Sequence, residues 1–355
     1  MRIAQVAPLY ESVPPKLYGG TERVVSYLTE ELVRQGHEVT LFASGDSLTS
    51  ARLIAGCESA LRLCDSCVDP LTHHLAMLEE VFSEKNKFDL IHFHVDYLHF
   101  PFTRREGVHS VTTLHGRLDI PDLPAVYRSY PEMPVVSISN AQRKPLPWLN
   151  WQATVHHGLP YKWYSSGRPN EGYLAFLGRI SPEKNPVEAI RIAKLSGRKL
   201  KIAAKVDRAD REYFEDCVRP LLGHPLVEFV GEIGTDQVAE FLGRAAALIF
   251  PINWPEPFGL VTIESMACGT PVIAYPQGSV PELVDDGVTG FIVNNVEEAA
   301  RAIENLAKID RRKCFDRFRE RFGAQRMAND YVAVYRRLLE DNPETLSLMG
   351  GVSVG

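Results

Sequence analysis

The chain has 355 residues, a formal net charge of −6 at pH 7, 45% hydrophobic residues and 24% charged residues. This length fits two domains of ordinary size, and the composition is that of a soluble globular protein. Nucleic acid is not expected as the main partner, because nucleic-acid-binding proteins usually carry a basic excess. The sequence contains no run of about 18 apolar residues that could span a membrane.

The N-terminal residues and the cysteines indicate the compartment. The N-terminal residues lack the apolar core of a signal peptide, and six cysteines do not make a disulfide scaffold in a chain of this length. We therefore expect a cytoplasmic protein with reduced thiols. A zinc site is the alternative, since Cys64 and Cys67 form a C-x-x-C motif that precedes His73 and His74. Adjacent histidines rarely both reach one ion, so we predict no metal site.

The first half of the chain alternates between short β-branched segments and amphipathic helical segments. The pattern predicts strands at residues 2–7, 38–43, 89–94, 109–114 and 135–139, and helices at 21–35 and 71–82. This alternation is typical of a parallel sheet covered on both faces. An irregular segment that is rich in proline and tryptophan follows, and we interpret residues 145–167 as the linker.

The second half repeats the alternation. Strands are predicted at 173–177, 199–204, 227–230, 247–250, 271–274 and 290–293, and helices at 186–195, 213–222, 235–244 and 259–267. Residues 296–339 read as helical. In open sheets of this kind, ligands bind beyond the carboxyl ends of the strands. We therefore predict two Rossmann-like domains, at 1–165 and 166–324, that face a central cleft.

Two common nucleotide-binding motifs are missing. No predicted strand is followed by G-x-G-x-x-G, and no G-x-x-x-x-G-K-[ST] occurs, which argues against a dehydrogenase and a P-loop ATPase. Gly19 and Gly20 instead precede the first predicted helix. Glycines at this position let an anionic group approach the free backbone N–H groups of the helix. A plain flexible loop is the alternative interpretation.

Two cations follow the first strand of the second half. Arg179 and Lys184 lie in a loop between a predicted strand and a predicted helix. A loop at this place can direct both side chains to one diphosphate. Without further signals, two solvated loop cations would be the simpler interpretation.

One glutamate lies just before the helix predicted at 259–267, and a second lies within it. Pro257 suits a helix start, Glu256 lies just outside the helix at its positive end, and Glu264 lies about two turns inside. The neighbours of Glu264 are apolar, so its carboxylate is predicted to be buried and to need hydrogen-bond donors. The two hydroxyls of a ribose would supply them.

The segment 255–271, which reads PEPFGLVTIESMACGTP, resembles the E-x7-E signature of the retaining GT-B glycosyltransferases, in particular glycosyltransferase family 4. The 178–184 loop, the Gly19-Gly20 loop and the segment 278–291 also fit the family pattern. The resemblance covers nearly the whole chain and is most specific over 173–293. It implies a GT-B fold, with a C-terminal helix at 325–342 that packs back on the first domain and a flexible tail at 343–355.

The resemblance also implies roles for individual residues. His115 and Glu256 are the implied catalytic residues at the transferred sugar. Arg179 and Lys184 would neutralise the donor diphosphate, and Glu264 would hold the ribose. The other implied donor-binding residues are Gly19, Gly20, Ile233, Phe258, Gly259 and Leu260. The chain departs from the usual family pattern at Asn185 and at 203–205, where glycines are common, and the second departure leaves the choice of base open.

The resulting functional prediction is a retaining hexosyltransferase that needs no metal ion or cofactor. UDP-glucose is the favoured donor, GDP- and ADP-sugars are possible, and the acceptor is a small-molecule or glycan hydroxyl. No Asp-x-Asp motif occurs, so the metal-binding device of the other main glycosyltransferase fold is missing. A nucleotide-sugar epimerase of the same fold and a non-catalytic nucleotide-sugar-binding protein are the alternatives.

Two further clusters have simpler interpretations. His92, His94, His99 and His115 could form a metal site, but we favour core and cleft-lining histidines, with His94 near the acceptor. The segment 143–151 mixes two cations with two tryptophans. We expect it to pack between domains rather than to rest on a membrane.

Overall fold

The computed structural model describes residues 1–17, 19–64, 66–164 and 167–340, so the predicted tail at 343–355 lies outside the described residues. The chain divides into two compact units. The first comprises residues 1–138, 143–158 and the C-terminal segment from Ala324, and the second comprises 139–142 and 159–323. The short helix Asn140–Arg143 spans this division. The domain limits given above stay predictions.

The first unit is built on a parallel sheet of seven strands within the described residues. Its strands are β1 (Arg2–Val6), β2 (Glu38–Ser44), β3 (Arg52–Cys57), β4 (Leu90–Phe93), β5 (Ser110–Thr113), β6 (Val135–Ser137) and β7 (Trp151–Thr154). They lie in the order β3-β2-β1-β4-β5-β6-β7. The helices are Gly20–Arg34, Pro70–Ser83, Phe100–Glu106, Leu123–Ser129 and Ala324–Glu340.

The second unit contains a parallel sheet of six strands in its described part. Its strands are β8 (Leu174–Arg179), β9 (Leu200–Lys205), β10 (Val227–Gly231), β11 (Ala247–Phe250), β12 (Val272–Ala274) and β13 (Gly290–Ile292). They lie in the order β10-β9-β8-β11-β12-β13. The longer helices are Pro186–Ser196, Thr235–Gly243, Leu260–Ala267, Val296–Glu304 and Arg311–Arg321, and a short helix lies at Val280–Leu283.

The two sheets share one winding. Counted from its own first strand, each unit has the order 3-2-1-4-5-6, and the first unit adds a seventh strand. This order reverses direction between β1 and β4 in the first unit, and between β8 and β11 in the second. The carboxyl ends of strands at such a reversal form the usual ligand-binding crevice of an open α/β sheet. The predicted pair of Rossmann-like sheets is therefore confirmed.

The C-terminal helix Ala324–Glu340 belongs to the first unit and packs beside the helix Gly20–Arg34. One apolar face of the helix is buried, including Met327, Tyr331 and Tyr335, each fully shielded from solvent. This burial follows from the helical spacing of those side chains in the sequence. The prediction that the helix returns to the N-terminal sheet is confirmed.

Several elements differ from the sequence-based predictions, and the helices Phe100–Glu106 and Leu123–Ser129 are two that were not predicted. Strands β3 and β7 were not predicted, and β7 lies within the segment interpreted as the linker. The helix predicted at 213–222 is instead a succession of the short helical turns Arg211–Tyr213, Phe214–Val218 and Arg219–Leu221. Pro220 explains part of this break, since proline cannot donate a backbone hydrogen bond inside a helix. Within the part of the chain that the structure describes, every helix is too short or too polar to span a bilayer.

Candidate functional site

In the second unit, the reversal of strand order brings Lys184 and Glu256 together. Lys184 follows β8 and Glu256 follows β11, and these strands are hydrogen-bonded neighbours. The backbone N–H of Asn253 donates to the carbonyl of Glu183, 3.1 Å away, which joins the two loops. The Lys184 ammonium group donates to Glu256 Oε2, and both side chains are largely buried. The structure thus forms a buried ion pair at the expected crevice.

Trp254 gives the same Glu256 oxygen a second donor. Its indole Nε1 lies 2.9 Å from Glu256 Oε2. The Lys184 ammonium group also lies 5.4 Å from the centroid of the Trp254 ring and 5.7 Å from that of Phe250, which adds cation–π attraction. Glu256 Oε2 is therefore held by two fixed donors.

The backbone of the Glu256 loop is fixed by two serines. Ser279 donates its backbone N–H to the carbonyl of Glu256, at 3.0 Å, and its hydroxyl to the carbonyl of Phe258, at 2.6 Å. The Ser139 hydroxyl donates to the carbonyl of Pro257, at 2.6 Å. These hydrogen bonds restrain the loop to one conformation, which is needed to position the Glu256 carboxylate accurately.

Gly278 lets this support approach closely. Its φ is +54°, and a Cβ at this position would lie 2.2 Å from the carbonyl oxygen of Glu256 and 2.4 Å from its nitrogen. Real Cβ atoms do not approach backbone so closely, so any side chain here would displace the Glu256 loop. Only glycine therefore fits at position 278 in this conformation, a steric requirement that the sequence motif alone did not indicate.

The helix Leu260–Ala267 begins beside Glu256 and contains Glu264. Gly259 caps the helix with φ of +80°, a left-handed conformation that favours glycine. Glu264 is 2% exposed, as its apolar neighbours predicted, and the Tyr164 hydroxyl lies 3.3 Å from its Oε1. Phe258 is buried and Leu260 is half-buried at the start of the same helix. The structure thus brings together four of the predicted donor-binding residues.

Arg179 ends β8 with its charge already offset. Its Nη2 donates to Glu183 Oε1 at 2.6 Å, and its Nε lies 3.3 Å from Asp210 Oδ2. Burial raises the pKa of Asp210 even though Arg179 acts in the opposite direction. Ile233 is half-buried and follows β10, the strand at the edge of the same sheet. An incoming diphosphate would compete with carboxylates for both Arg179 and Lys184.

In the first unit, polar side chains on three adjacent strands form a buried network. Gln5 on β1 pairs with His92 on β4, and Thr113 lies on β5. His94 and His115 follow the last residues of β4 and β5. His94 Nε2 lies 2.8 Å from Gln5 Oε1, and His94 Nδ1 lies 2.8 Å from His115 Nε2. Both nitrogens of His94 are engaged within this unit, which leaves neither for the acceptor contact expected of it.

The C-terminal helix closes the other side of this network. The Tyr335 hydroxyl lies 2.7 Å from His92 Nδ1 and accepts from Gln5 Nε2 at 3.3 Å. His92 Nε2 lies 2.7 Å from the Thr113 hydroxyl, which in turn lies 2.9 Å from that of Tyr331. The helix therefore contributes hydroxyl groups as well as apolar contacts.

The buried imidazoles of this unit are neutral near pH 7. Burial lowers the pKa of His115 to about 3. Burial likewise lowers the pKa values of His92, His94, His99 and His157 well below the usual range. A neutral imidazole has one N–H and one acceptor nitrogen, so each ring can donate only once.

A metal site made of these histidines has no geometric basis. The two nitrogens of His99 lie 2.7 Å from the hydroxyls of Thr103 and Thr112, and those of His92 are engaged as described. Among the described residues, no group of three or more His, Cys, Asp or Glu side chains is arranged to hold an ion. His92, His94 and His99 are instead buried residues with both ring nitrogens hydrogen-bonded within the first unit.

Gly19 and Gly20 lie where the first helix begins. Gly20 is the first residue of the helix Gly20–Arg34, and Gly19 is buried immediately before it. Glu22 in the first turn has a pKa raised to about 7, chiefly by burial. The nearby Arg62 guanidinium lies 3.1 Å from Glu11 Oε1. The loop that is predicted to bind an anion therefore lies at a helix start that already carries acidic side chains.

Comparisons with known proteins place most of the chain, residues 18–325, among the glycosyltransferases. The sequence profile described as Glycosyltransferase Family 4 matches residues 18–179, and the one described as Glycosyl transferases group 1 matches 165–325. An uncharacterized glycosyltransferase from Methanocaldococcus jannaschii is 26% identical over 343 residues, which cover 82% of this chain and 85% of that protein.

Solved structures agree with this result. The chain is similar to AviGT4, a glycosyltransferase involved in avilamycin A biosynthesis, with a TM-score of 0.74 and 26% identity over 96% of this chain and 98% of the other. It also has the fold of Anabaena HepE in complex with UDP-glucose, with a TM-score of 0.70 and 18% identity over 98% and 99% of the two chains.

Proposed function

Because this chain belongs to glycosyltransferase family 4 and has the GT-B fold, we propose that it is a retaining hexosyltransferase with a nucleotide-sugar donor. The acceptor is a hydroxyl group of a small molecule or a glycan. The observation that supports this proposal most directly is the Lys184–Glu256 pair at the reversal between β8 and β11. In this pair, a cation that would meet the donor diphosphate lies beside a carboxylate that would face the reacting sugar.

In the proposed reaction, the second unit stabilises the leaving diphosphate. Negative charge develops on the diphosphate as the glycosidic bond breaks, and preorganised positive groups lower the barrier. Lys184 and Arg179 supply that charge in place of their present carboxylate partners. The departing diphosphate oxygen takes the proton of the acceptor hydroxyl, so no separate base and no metal ion are needed.

Glu256 and His115 act at the sugar in this proposal. The carboxylate of Glu256 stabilises the positive character that develops on the reacting sugar, while Trp254 keeps it in place after Lys184 turns to the diphosphate. Glu264 binds the ribose hydroxyls from the neighbouring helix. His115 contacts a hydroxyl of the transferred sugar, as the family resemblance implies.

UDP-glucose is the first donor to test. Support comes from the structural likeness to Anabaena HepE, which was solved with UDP-glucose. The identity of 18% leaves the base and the sugar of this chain as a proposal. GDP-mannose and ADP-glucose belong in the same panel, because the segment 203–205 differs from the usual pattern near the base.

Nucleotide release separates the candidate activities. The protein is incubated with each donor, with and without a panel of sugar and polyol acceptors, and free nucleotide and altered nucleotide sugar are both measured. A transferase releases nucleotide faster when its acceptor is present, and the anomeric configuration of the product matches that of the donor. Acceptor-independent conversion of the donor would support an epimerase, and binding without turnover would support a sensor.

Metal independence is tested in the same assay. Turnover is expected to persist in EDTA, because the proposed charge on the leaving group comes from Lys184 and Arg179. Loss of activity in EDTA with recovery in magnesium or manganese would refute this part of the proposal.

A further inference from the structure

The hydrogen bonds of the buried network in the first unit follow one donor-to-acceptor order, because each neutral imidazole has a single N–H. Gln5 Oε1 can only accept, so the 2.8 Å contact places the proton of His94 on Nε2. Nδ1 of His94 must then accept, and the 2.8 Å contact with His115 places the proton of His115 on Nε2. Nδ1 of His115 is left as an acceptor.

The remaining contacts of Gln5 agree with this orientation of its amide. Its Nε2 donates to the Tyr335 hydroxyl at 3.3 Å and lies 3.5 Å from His92 Nδ1. The Tyr335 hydroxyl can donate onward to the same His92 nitrogen at 2.7 Å. His92 Nε2–H then donates to the Thr113 hydroxyl, 2.7 Å away. Each donor in the chain therefore meets one acceptor, and the amide of Gln5 sets the order.

Nδ1 of His115 is the end of this chain. The atom is buried and has no hydrogen-bond partner among the described residues. A buried polar atom without a partner destabilises a structure, so a water or a ligand group is expected to pair with it. An unprotonated imidazole nitrogen requires a donor, and a sugar hydroxyl is such a donor.

We propose that Gln5 and His94 are positioning residues that hold His115 in the Nε2–H tautomer, so that Nδ1 accepts a hydrogen bond from a hydroxyl of the donor sugar. This inference rests on the proposed function for the identity of the ligand. It deepens that function, because it states the direction of the hydrogen bond and the residues that determine it. Neutral rings are a condition for it, and burial keeps the pKa of His115 near 3.

The tautomers can be read directly by long-range proton–nitrogen NMR of protein labelled with 15N-histidine. The His115→Gln variant identifies the signals of His115 by their loss. We expect the ligand-free protein to show a protonated Nε2 and an unprotonated Nδ1 for both His94 and His115. A protonated Nδ1 on His115 would overturn the proposal.

The Gln5→Met variant tests the role of the amide. Methionine preserves the length of the side chain but accepts no comparable hydrogen bond, so His94 is free to donate from Nδ1. The proton of His115 should then move substantially to Nδ1. An unchanged tautomer in Gln5→Met would overturn the assignment of Gln5 as the residue that sets it.

Thr103→Val is the matched control for this variant. It removes a hydroxyl that lies 2.7 Å from His99, another buried histidine of the same unit, outside the Gln5–His94–His115 chain. Both variants remove a buried side chain that is hydrogen-bonded to an imidazole, but only Gln5→Met should alter the signals of His115. Equal changes at His115 in the two variants would mean that general loosening, rather than the amide, controls the tautomer.

Ligand titration tests the acceptor role. Addition of UDP-glucose, GDP-mannose or ADP-glucose should shift His115 Nδ1, whereas the matching nucleotide alone should not. Gln5→Met should lower kcat with the active donor by about three- to tenfold and leave nucleotide affinity unchanged. If a nucleotide sugar binds and turns over without affecting Nδ1, the hydroxyl contact is wrong.

The outcomes distinguish this inference from the proposed function. If none of the three nucleotide sugars binds, the proposed function fails and the sugar contact fails with it. The tautomer assignment is then decided by the ligand-free spectra of the wild-type protein and of Gln5→Met.

Discussion

The two units place their candidate functional groups at equivalent positions of the same winding but use opposite electrostatics. In the second unit, Lys184 pairs with Glu256, and Arg179 pairs with Glu183 and Asp210. In the first, neutral side chains such as Gln5 and His115 form a buried hydrogen-bonded chain. The same winding therefore supports buried ion pairs in one unit and a buried chain of neutral hydrogen-bonding groups in the other, which suit the anionic group and the hydroxyl groups of the proposed donor.

Removing a charge from the second unit should give the largest effect on catalysis. Glu256→Gln retains the size of the side chain but loses the charge that is proposed to stabilise the developing positive sugar. We expect kcat to fall on the order of 100- to 1,000-fold, because only interactions that strengthen in the transition state accelerate the reaction. Steady-state kinetics against the donor measures this, and a near wild-type kcat would show that the charge has no catalytic role.

Acid should destabilise the first unit before the second. The folded-state pKa values of its buried histidines lie below the ordinary value of about 6.5, so the unfolded chain binds more protons as the pH falls. Their contribution to the free energy of unfolding is fully present above about pH 6.5 and is lost as the pH falls below that value. Each ring accounts for up to about 1.4 kcal/mol at pH 5.5, so several rings together destabilise this unit by several kcal/mol.

Proteolysis in urea, with peptides mapped to each unit at pH 7.5 and pH 5.5, measures this difference. Glu22→Gln provides a control of opposite sign, because the raised pKa of Glu22 provides stability below its unfolded value of 4.5 that is lost as the pH rises through about 7. Glu22→Gln removes this contribution, which increases as the pH falls and opposes the effect of the histidines. The first unit of the variant should therefore lose more stability between pH 7.5 and pH 5.5 than that of the wild-type protein. Equal acid sensitivity of the two units would contradict the contrast between neutral and charged sites.

Glu264→Gln should affect binding more than chemistry. The proposed ribose contact is present in both the ground state and the transition state, so its weakening raises the donor KM with little change in kcat. We expect a rise of about tenfold, in line with one hydrogen bond to a charged group. A loss of kcat at constant KM, as expected for Glu256→Gln, would show that the two glutamates have been assigned the wrong roles.

Trp254→Phe should give the smallest effect. The change keeps an aromatic ring near Lys184 but removes the indole N–H that donates to Glu256 Oε2 at 2.9 Å. We expect a decrease in kcat of about three- to tenfold, because Glu256 keeps its charge but loses one fixed donor. Trp163→Phe is the control, because Trp163 is an exposed tryptophan of the same unit. Phe258→Leu is not suitable, because Phe258 is itself proposed to bind the donor.

Much of the fold could be predicted from local sequence signals. The buried strands are short apolar runs, and the helix that contains Glu264 has an apolar composition and a glycine at its start. Strand β7 could not be predicted in the same way, because Trp151–Thr154 is half-buried throughout at the edge of the sheet and lies in a segment rich in proline and tryptophan. Pairing with β6 stabilises it, and pairing partners are not visible in one sequence.

The candidate site shows the same limit. Arg179, Lys184, Glu256 and Glu264 could be selected because their spacing matches a local motif and they follow strands. Gln5 could not be connected with His94, which lies 89 residues away, until the pairing of β1 with β4 was known. A buried polar residue in the apolar strand β1 was the available signal. Trp254 was likewise missed, although it lies two residues before Glu256.

Titration of UDP, GDP and ADP into the protein tests most directly whether the second unit binds the donor diphosphate through its cations. Calorimetry should give one preferred nucleotide, and Lys184→Met should weaken its binding about 10- to 100-fold, as expected for a hydrogen bond between charged groups. Lys199→Met is the control, since Lys199 is half-exposed and pairs with Glu228 on the surface. Its affinity should match that of the wild-type protein. Wild-type affinity in Lys184→Met would contradict the account.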